Sequence, residues 1–62
     1  MPLISRFYGI SIYMYFAEHQ PPHFHAVYGE FEAVMKITDL SIIGGRLPSR
    51  AEGLVADWAS QH

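Results

Sequence analysis

The side chains best suited to chemistry near neutral pH are concentrated in one short stretch. Three of the four histidines fall there, within seven positions, around a double proline. The stretch reads Glu18-His19-Gln20-Pro21-Pro22-His23-Phe24-His25. Imidazole changes its charge between about pH 5 and 8, and it is also a common metal ligand. This stretch is therefore the candidate functional site, and its chemistry depends on the elements that position the three rings.

One interpretation is a zinc site formed by His19, His23 and His25. The last two are two residues apart, so they point the same way from a strand, and His19 lies four residues before them. Three imidazoles and one open position are a known zinc arrangement. Glu18 would then be a fourth ligand or an acceptor for a ring N–H. The predicted pairing of Lys36 with His23 counts against this site, because it places a cation beside a dication.

A second interpretation is metal-free catalysis by His23 and His25. Two imidazoles can serve as general base and general acid at neutral pH. Lys36 or Arg6 would stabilise a phosphorane-like charge, which makes a hydrolase or ribonuclease the corresponding function. The formal net charge of −2 counts against nucleic acid as a partner, since backbone binding needs clustered cations.

A third interpretation gives the histidines no chemical role. Histidines beside prolines can bond to backbone carbonyls, and histidines on an exposed strand need have no function. The domain would then be a protein-interaction module, with Glu18, Lys36, Tyr13 and Tyr15 as contact residues. This is the leading interpretation, and a histidine-based enzyme is the alternative.

The length and composition predict one small domain, residues 1–62, that meets another chain. A domain this short buries only about 60% of its unfolded surface, so it often gains stability from a metal or a second subunit. There is no cysteine, which excludes disulfides and thiolate chemistry. Charged residues make up 16%, against a usual value of about 25%, which predicts an exposed apolar patch. We expect a homodimer.

The chain carries no membrane or export signal that we can identify. No stretch approaches the 18 or so apolar residues of a transmembrane helix. The start lacks a basic segment followed by an apolar run, so it does not resemble a signal peptide. We expect a cytoplasmic location.

The first half of the sequence predicts a β-hairpin before the histidine stretch. Residues 3–8 and 10–17 are rich in Ile, Tyr, Phe and Met. A two-residue turn at Gly9-Ile10, with glycine at the position of positive φ, would join them. That register pairs Phe7 with Ile12 and places Ile4 on the opposite face from Phe7.

A second hairpin is predicted for residues 23–28 and 31–37, joined by a turn at Gly29-Glu30. Its apolar face would pair Tyr28 with Phe31, Ala26 with Ala33, and Phe24 with Met35. Its other face would pair Val27 with Glu32, His25 with Val34, and His23 with Lys36. The side chains of His23 and His25 would therefore point away from the packed face.

The last part of the chain predicts a short strand and one helix. The strand covers 40–43 and ends at Gly44-Gly45. Ser49 and Glu52 match a capping box, with Ser49 as the N-cap. An apolar stripe at helical spacing follows, formed by Ala51, Leu54, Val55, Trp58 and Ala59. The predicted fold is α+β: a small antiparallel sheet of four to five strands with one C-terminal helix packed on one face.

Several strings of this sequence resemble one protein family. They are Met1-Pro2-x-Ile4-Ser5-Arg6-Phe7-Tyr8-Gly9-Ile10, Met14-Tyr15-Phe16, His19-x-Pro21-Pro22-His23-Phe24-His25-Ala26-x-Tyr28-Gly29-Glu30, Leu47-Pro48 and Val55-x-x-Trp58-Ala59. The family is number 4160 of the domains of unknown function, which are small bacterial proteins.

The resemblance implies a gene context rather than a mechanism. Members resemble components of toxin–antitoxin-like gene pairs and are often encoded beside another small domain. Typical members also continue past the position of His62 with a further helical stretch, which strengthens the expectation of an oligomer.

Overall fold

The computed structural model describes residues 3–14 and 22–61. The elements are β1 (Leu3–Phe7), β2 (Ile10–Met14), β3 (His23–Tyr28), β4 (Phe31–Lys36), β5 (Ile42–Gly45) and α1 (Ser49–Ser60). The strands form one sheet in the order β1-β2-β3-β4-β5, and every neighbouring pair is antiparallel. With α1 on one face of this sheet, the predicted α+β fold is confirmed.

The core lies between α1 and one face of β2, β3 and β4. Its buried residues are Ile10, Ile12, Phe24, Ala26, Ala33, Met35, Leu47, Ala51 and Val55. The predicted helical stripe therefore faces the sheet, as the 3.6-residue period requires. Trp58 joins the two layers, because its ring stacks on Phe7 at 5.9 Å and meets Phe24 edge-on at 5.8 Å between centroids.

The hairpin of β3 and β4 has the predicted register. All six predicted pairs are present, from His23 with Lys36 to Tyr28 with Phe31. Gly29 has a φ of 60°, as a glycine-first turn requires. Phe24, Ala26, Ala33 and Met35 are buried against α1, so His23 and His25 project from the opposite face of the sheet.

The predicted register of β1 and β2 is wrong by two residues. Phe7 pairs with Ile10 rather than Ile12, because the turn lies at Tyr8-Gly9 and both residues have positive φ, 49° and 81°. Such a turn matches the twist of a hairpin, although its first position usually holds Asn, Asp or Gly. The register also shifts between Leu3 and Ser5, and Ile4 lies on the helix side rather than on the predicted opposite face.

The last strand begins two residues later than predicted. Leu40 takes a positive φ of 60°, and the strand extends through Gly44-Gly45 instead of ending before them. Gly45 has a φ of 69°, and the next residue, Arg46, donates its N–H to the main-chain oxygen of Glu32 at 3.0 Å. The glycines therefore belong to the sheet edge beside β4.

The predicted capping box is absent. Pro48 occupies the N-cap position, Ser49 is the first helical residue, and no side chain caps the helix start. The backbone N–H of Glu52 donates to the carbonyl of Pro48 at 3.0 Å. Proline fixes φ near −65°, so here it directs the chain into the helix in place of a capping side chain.

Within residues 3–14 and 22–61, no helix is long and apolar enough to cross a membrane.

Candidate functional site

The sheet surface opposite α1, which we call the open face, carries most of the predicted site residues that the structure describes. Tyr13 on β2 pairs with His25 on β3, and His23 on β3 pairs with Lys36 on β4. Directly paired residues of antiparallel strands project from the same side of the sheet. The three central strands thus bring these four side chains together.

His25 is held by a carboxylate that the sequence analysis did not assign to the site. Its ring Nδ1 lies 2.8 Å from Glu32 Oε2 on the neighbouring strand. An ionised carboxylate only accepts hydrogen bonds, so Nδ1 carries the proton. In the neutral ring the lone pair is then on Nε2, which points away from Glu32. This contact selects one tautomer and one ring orientation, as a basic catalyst or a metal ligand requires.

The contact between His25 and Glu32 follows from the strand register. Glu32 pairs with Val27, and His25 pairs with Val34, so the two polar residues are diagonal neighbours on one face. The side chain of His25 is 21% exposed and that of Glu32 is 52% exposed. The predicted register already makes His25 and Glu32 diagonal neighbours, but it does not predict that their side chains meet.

His23 lies beside His25, and the two rings form a pair. Their centroids are 5.4 Å apart and their planes are inclined by 52°. His23 is only 9% exposed, and it is the one buried polar or charged residue among those described. The sequence predicts the direction in which His23 points but not its burial.

Lys36 stands across the strand pair from His23, as predicted, but its charge has a partner elsewhere. Its Nζ lies 3.9 Å from Asp39 Oδ2, in the turn that follows β4. Asp39 also accepts from the backbone N–H of Ser41 at 3.0 Å and from the Ser41 hydroxyl at 2.8 Å. The Ser41 backbone and hydroxyl bonds, with a smaller effect of Lys36, hold the pKa of Asp39 below its usual value.

Arg6, the other cation predicted to assist catalysis, contacts a different group. Its Nε donates to the hydroxyl of Ser11 at 3.3 Å, and the two residues are paired across β1 and β2. Arg6 is therefore positioned toward the edge of the sheet, with β2 between its strand and the strand that carries His23 and His25.

Three predicted site residues cannot be placed. Glu18, His19 and Tyr15 lie outside the described residues, so the structure does not test their assigned roles. Within the described ranges, no group of three or more His, Asp or Glu side chains is arranged to hold a metal ion. The described part of the candidate zinc site is the pair His23 and His25.

A second surface feature is an apolar groove on the helix side. It encloses about 420 Å³ between the end of the sheet and the last turns of α1. Residues that line it include Ile4, Met14, Phe24, Ile37, Leu40 and Trp58. Ile4 and Ile37 are 46% and 43% exposed. A concentration of large exposed apolar side chains at one end of a small sheet is typical of a contact surface.

A family model matches residues 9–62 of this chain. The chain belongs to DUF4160, a family described as a domain of unknown function. The match includes the open-face residues Tyr13, His23, His25, Glu32 and Lys36. It does not include Arg6 or Ile4, which lie on β1. No curated protein and no solved structure matches the chain. Membership of DUF4160 therefore assigns no activity to the chain.

Proposed function

We propose that this domain is a small cytoplasmic protein-interaction module of the toxin–antitoxin-like type, and that its apolar groove binds a cognate protein. The observation that carries the proposal is the exposure of Ile4 and Ile37 in the lining of the groove. The gene context implied by the family resemblance supports it, since that context supplies a second small protein as partner.

The groove has the size and chemistry for an apolar segment of a partner. Its volume, about 420 Å³, lies in the range of protein binding pockets. Its lining is mainly aliphatic and aromatic, with Thr38 as a polar side chain at the rim. Filling it would remove Ile4 and Ile37 from water, and full burial of such a side chain contributes about 1.5–3 kcal/mol.

The outer strand β1 supports binding beside the groove. It is the first strand of the described sheet, so the backbone groups on its outer side face away from β2. Such an edge can pair with an extended segment of another chain. The same edge supports the expected homodimer, in which two copies of β1 would pair.

The test compares Ile4→Lys and Ile37→Lys with Ile43→Lys. Ile43 is a matched control, because it is 49% exposed but lies on β5 and is not among the groove residues. Affinity for the protein encoded by the neighbouring gene is measured by isothermal titration calorimetry. We expect at least tenfold weaker binding for both groove variants, since tenfold corresponds to about 1.4 kcal/mol. Equal affinity for all three variants, with unchanged melting temperatures, would overturn the groove as the binding site.

The homodimer has its own test. Sedimentation velocity across a concentration series should show a dimer for the wild type. Ile4→Lys should shift it toward the monomer, because the added charge lies on the pairing edge. A wild-type protein that stays monomeric throughout the series would exclude this part of the proposal.

A histidine-based hydrolase or ribonuclease is the second candidate function. The Glu32 contact favours it, because a carboxylate on Nδ1 prepares His25 Nε2 to take a proton. His23 would be the general acid, and Lys36 would stabilise charge on the substrate. The double variant His23→Ala/His25→Ala distinguishes the two functions: it should abolish the biological effect of an enzyme and leave partner binding by an interaction module nearly intact.

A further inference from the structure

We propose that a cleft at the start of α1 binds a mononucleotide, with Tyr8 and Tyr28 contacting the base and Arg50 contacting the phosphate. The cleft shares no lining residue with the apolar groove, which lies at the other end of α1. This site therefore goes beyond the proposed protein-binding function and does not depend on it.

The cleft lies at the end of the sheet that carries both hairpin turns. It encloses about 730 Å³, within the range of about 300–1,000 Å³ that is usual for small-molecule sites. Tyr8 comes from the β1–β2 turn, Tyr28 from the end of β3, and Arg50 from the first turn of α1. The remaining lining is apolar and comes from Pro48, Ala51 and Leu54. A mainly apolar lining with one charged group is typical of a site that orients a small ligand.

Tyr8 is a residue whose presence folding does not explain. Its φ of 49° is disfavoured for a bulky side chain, so it costs stability. Its ring is 80% exposed and therefore adds little to the core. Residues held in such conformations cluster at functional sites. Contact with a ligand accounts for an aromatic ring at a turn position where folding alone favours Asn or Gly.

Tyr28 supplies a second aromatic ring beside the same turn. It pairs with Ile10 on β2 and is 39% exposed. A Cβ atom on Gly9 would lie 3.5 Å from Cε1 of Tyr28, so the ring lies against the turn that carries Tyr8. Nucleotide bases stack on aromatic side chains, whichever base is present. Two tyrosines that line one cleft therefore favour a flat aromatic group over an aliphatic one.

Two guanidinium groups give this end of the molecule a positive charge. Arg50 is exposed and lines the cleft. The guanidinium carbon of Arg46 lies 5.3 Å from the ring centroid of Phe31, which is paired with Tyr28. Neither arginine forms an ion pair with a carboxylate of the described residues. Arginine binds phosphate through two parallel N–H groups, so a phosphate complements this charge.

The carboxylates near the cleft limit the ligand to few negative charges. Glu30 lies in the turn that follows Tyr28, and Glu52 lies in the first turn of α1. Neither lines the cleft, and Glu52, two residues after Arg50, projects from a different side of the helix. The net charge of −2 counts against a long polyanion, whose binding needs many cations. A mononucleotide requires a cation only for its one phosphate group.

The experiment is an NMR titration of the full, tag-free chain with adenosine 5′-monophosphate (AMP) at low ionic strength. We expect saturable shifts of the ring resonances of Tyr8 and Tyr28. Adenosine and inorganic phosphate each lack one half of the ligand, so each should bind at least about fivefold more weakly than AMP. Added salt should weaken the binding of AMP and leave that of adenosine unchanged, because it screens only the contact with phosphate.

Variants of Tyr8 separate binding from folding. Tyr8→Asn removes the ring together with the backbone strain, so it should be more stable than the wild type. It should nevertheless bind AMP at least about fivefold more weakly, since one stacking ring is lost. Tyr8→Phe retains the ring and should bind AMP like the wild type.

The role of charge has a matched pair of variants. Arg50→Gln should weaken the binding of AMP at least about fivefold and leave that of adenosine unchanged. Arg6→Gln makes the same change of charge on the other side of the sheet. Arg6 precedes Phe7, whose ring stacks on Trp58 of α1, so alternation along β1 places Arg6 on the open face. It should bind AMP like the wild type.

Several results would overturn the assignment. They are tyrosine resonances that do not shift at millimolar AMP, a Tyr8→Asn or Arg50→Gln variant that binds AMP as tightly as the wild type, or equal losses in Arg6→Gln and Arg50→Gln. A short oligoadenylate that binds more than about tenfold more tightly than AMP would replace the mononucleotide by an RNA strand as the ligand.

Discussion

The main-chain oxygen of Glu32 lies against the position that a Cβ atom on Gly45 would occupy. Only glycine fits here, since β5 approaches β4 closely and Gly45 has a φ of 69°. The same residue, Glu32, holds His25 with its side chain and accepts the N–H of Arg46 with its carbonyl. The edge of the sheet and the open-face site are therefore linked through Glu32.

Gly45→Ala should lower the free energy of unfolding by about 2 kcal/mol or more. The left-handed backbone costs an alanine about 1–2 kcal/mol, and relief of the overlap with Glu32 displaces one of the two strands. Urea unfolding measures the change. The contact of His25 with Glu32 should also weaken, because Glu32 is displaced.

Gly53→Ala is the matched control for this prediction. Gly53 lies within α1, and an added Cβ would meet no atom within 4 Å. Alanine in a helix interior is favoured over glycine by about 1 kcal/mol, so this variant should be more stable than the wild type. Changes of the same sign in both variants would contradict the argument from the close approach of Gly45 to Glu32.

The sequence was sufficient to predict the fold class and the β3–β4 hairpin. In that hairpin the turn signal at Gly29 and the alternation of apolar residues specify the same register, because a slip by one residue would expose Phe24 and Ala26. The burial of Ala51 and Val55 followed equally directly from the helical period. Where two independent local signals agreed, the prediction was confirmed.

The errors in the strands occurred where a residue adopts a backbone conformation that its type disfavours. Tyr8 and Leu40 have positive φ, which is uncommon for bulky residues, so no propensity argument would place turns there. The Tyr8 turn shifted the β1–β2 register, and Leu40 delayed β5. At the helix start, Pro48 provides the N-cap backbone conformation, which the capping-box pattern of Ser49 and Glu52 did not reveal.

The candidate site was only partly predictable. Alternation along β3 placed His23 and His25 on one face, and pairing placed Lys36 opposite His23. Sequence reasoning did not find Glu32, because its contact with His25 is diagonal across two strands. The burial of His23 depends on tertiary packing, which no pattern around this residue reports.

Tyr8→Asn should stabilise the protein by a few tenths to about 1 kcal/mol. Asn tolerates positive φ better than Tyr, and Asn-Gly is the preferred sequence for a turn in which both central residues have positive φ. Tyr8 is 80% exposed, so little packing is lost. The free energy of unfolding in urea measures the gain, with Tyr8→Ser as the control for removal of the ring. If Tyr8→Asn and Tyr8→Ser have the same free energy of unfolding, the backbone strain at Tyr8 is negligible.

Protonation of the Asp39 carboxylate should make the protein less stable in acid. Hydrogen bonds from the Ser41 backbone and hydroxyl, with Lys36 nearby, lower the pKa of Asp39 in the folded state relative to about 3.9 in the unfolded chain. A carboxyl with a lowered folded pKa contributes stability that is present above the unfolded value. That contribution is lost as the pH falls through the folded pKa.

Two measurements check this prediction for Asp39. An NMR titration of its side-chain carbonyl should give a midpoint below the ordinary aspartate value, and Ser41→Ala should raise that midpoint by removing the hydroxyl donor. Asp39→Asn should lose less stability than the wild type between about pH 5 and pH 2. A midpoint at or above about 3.9 in the wild type would contradict the proposed role of these bonds.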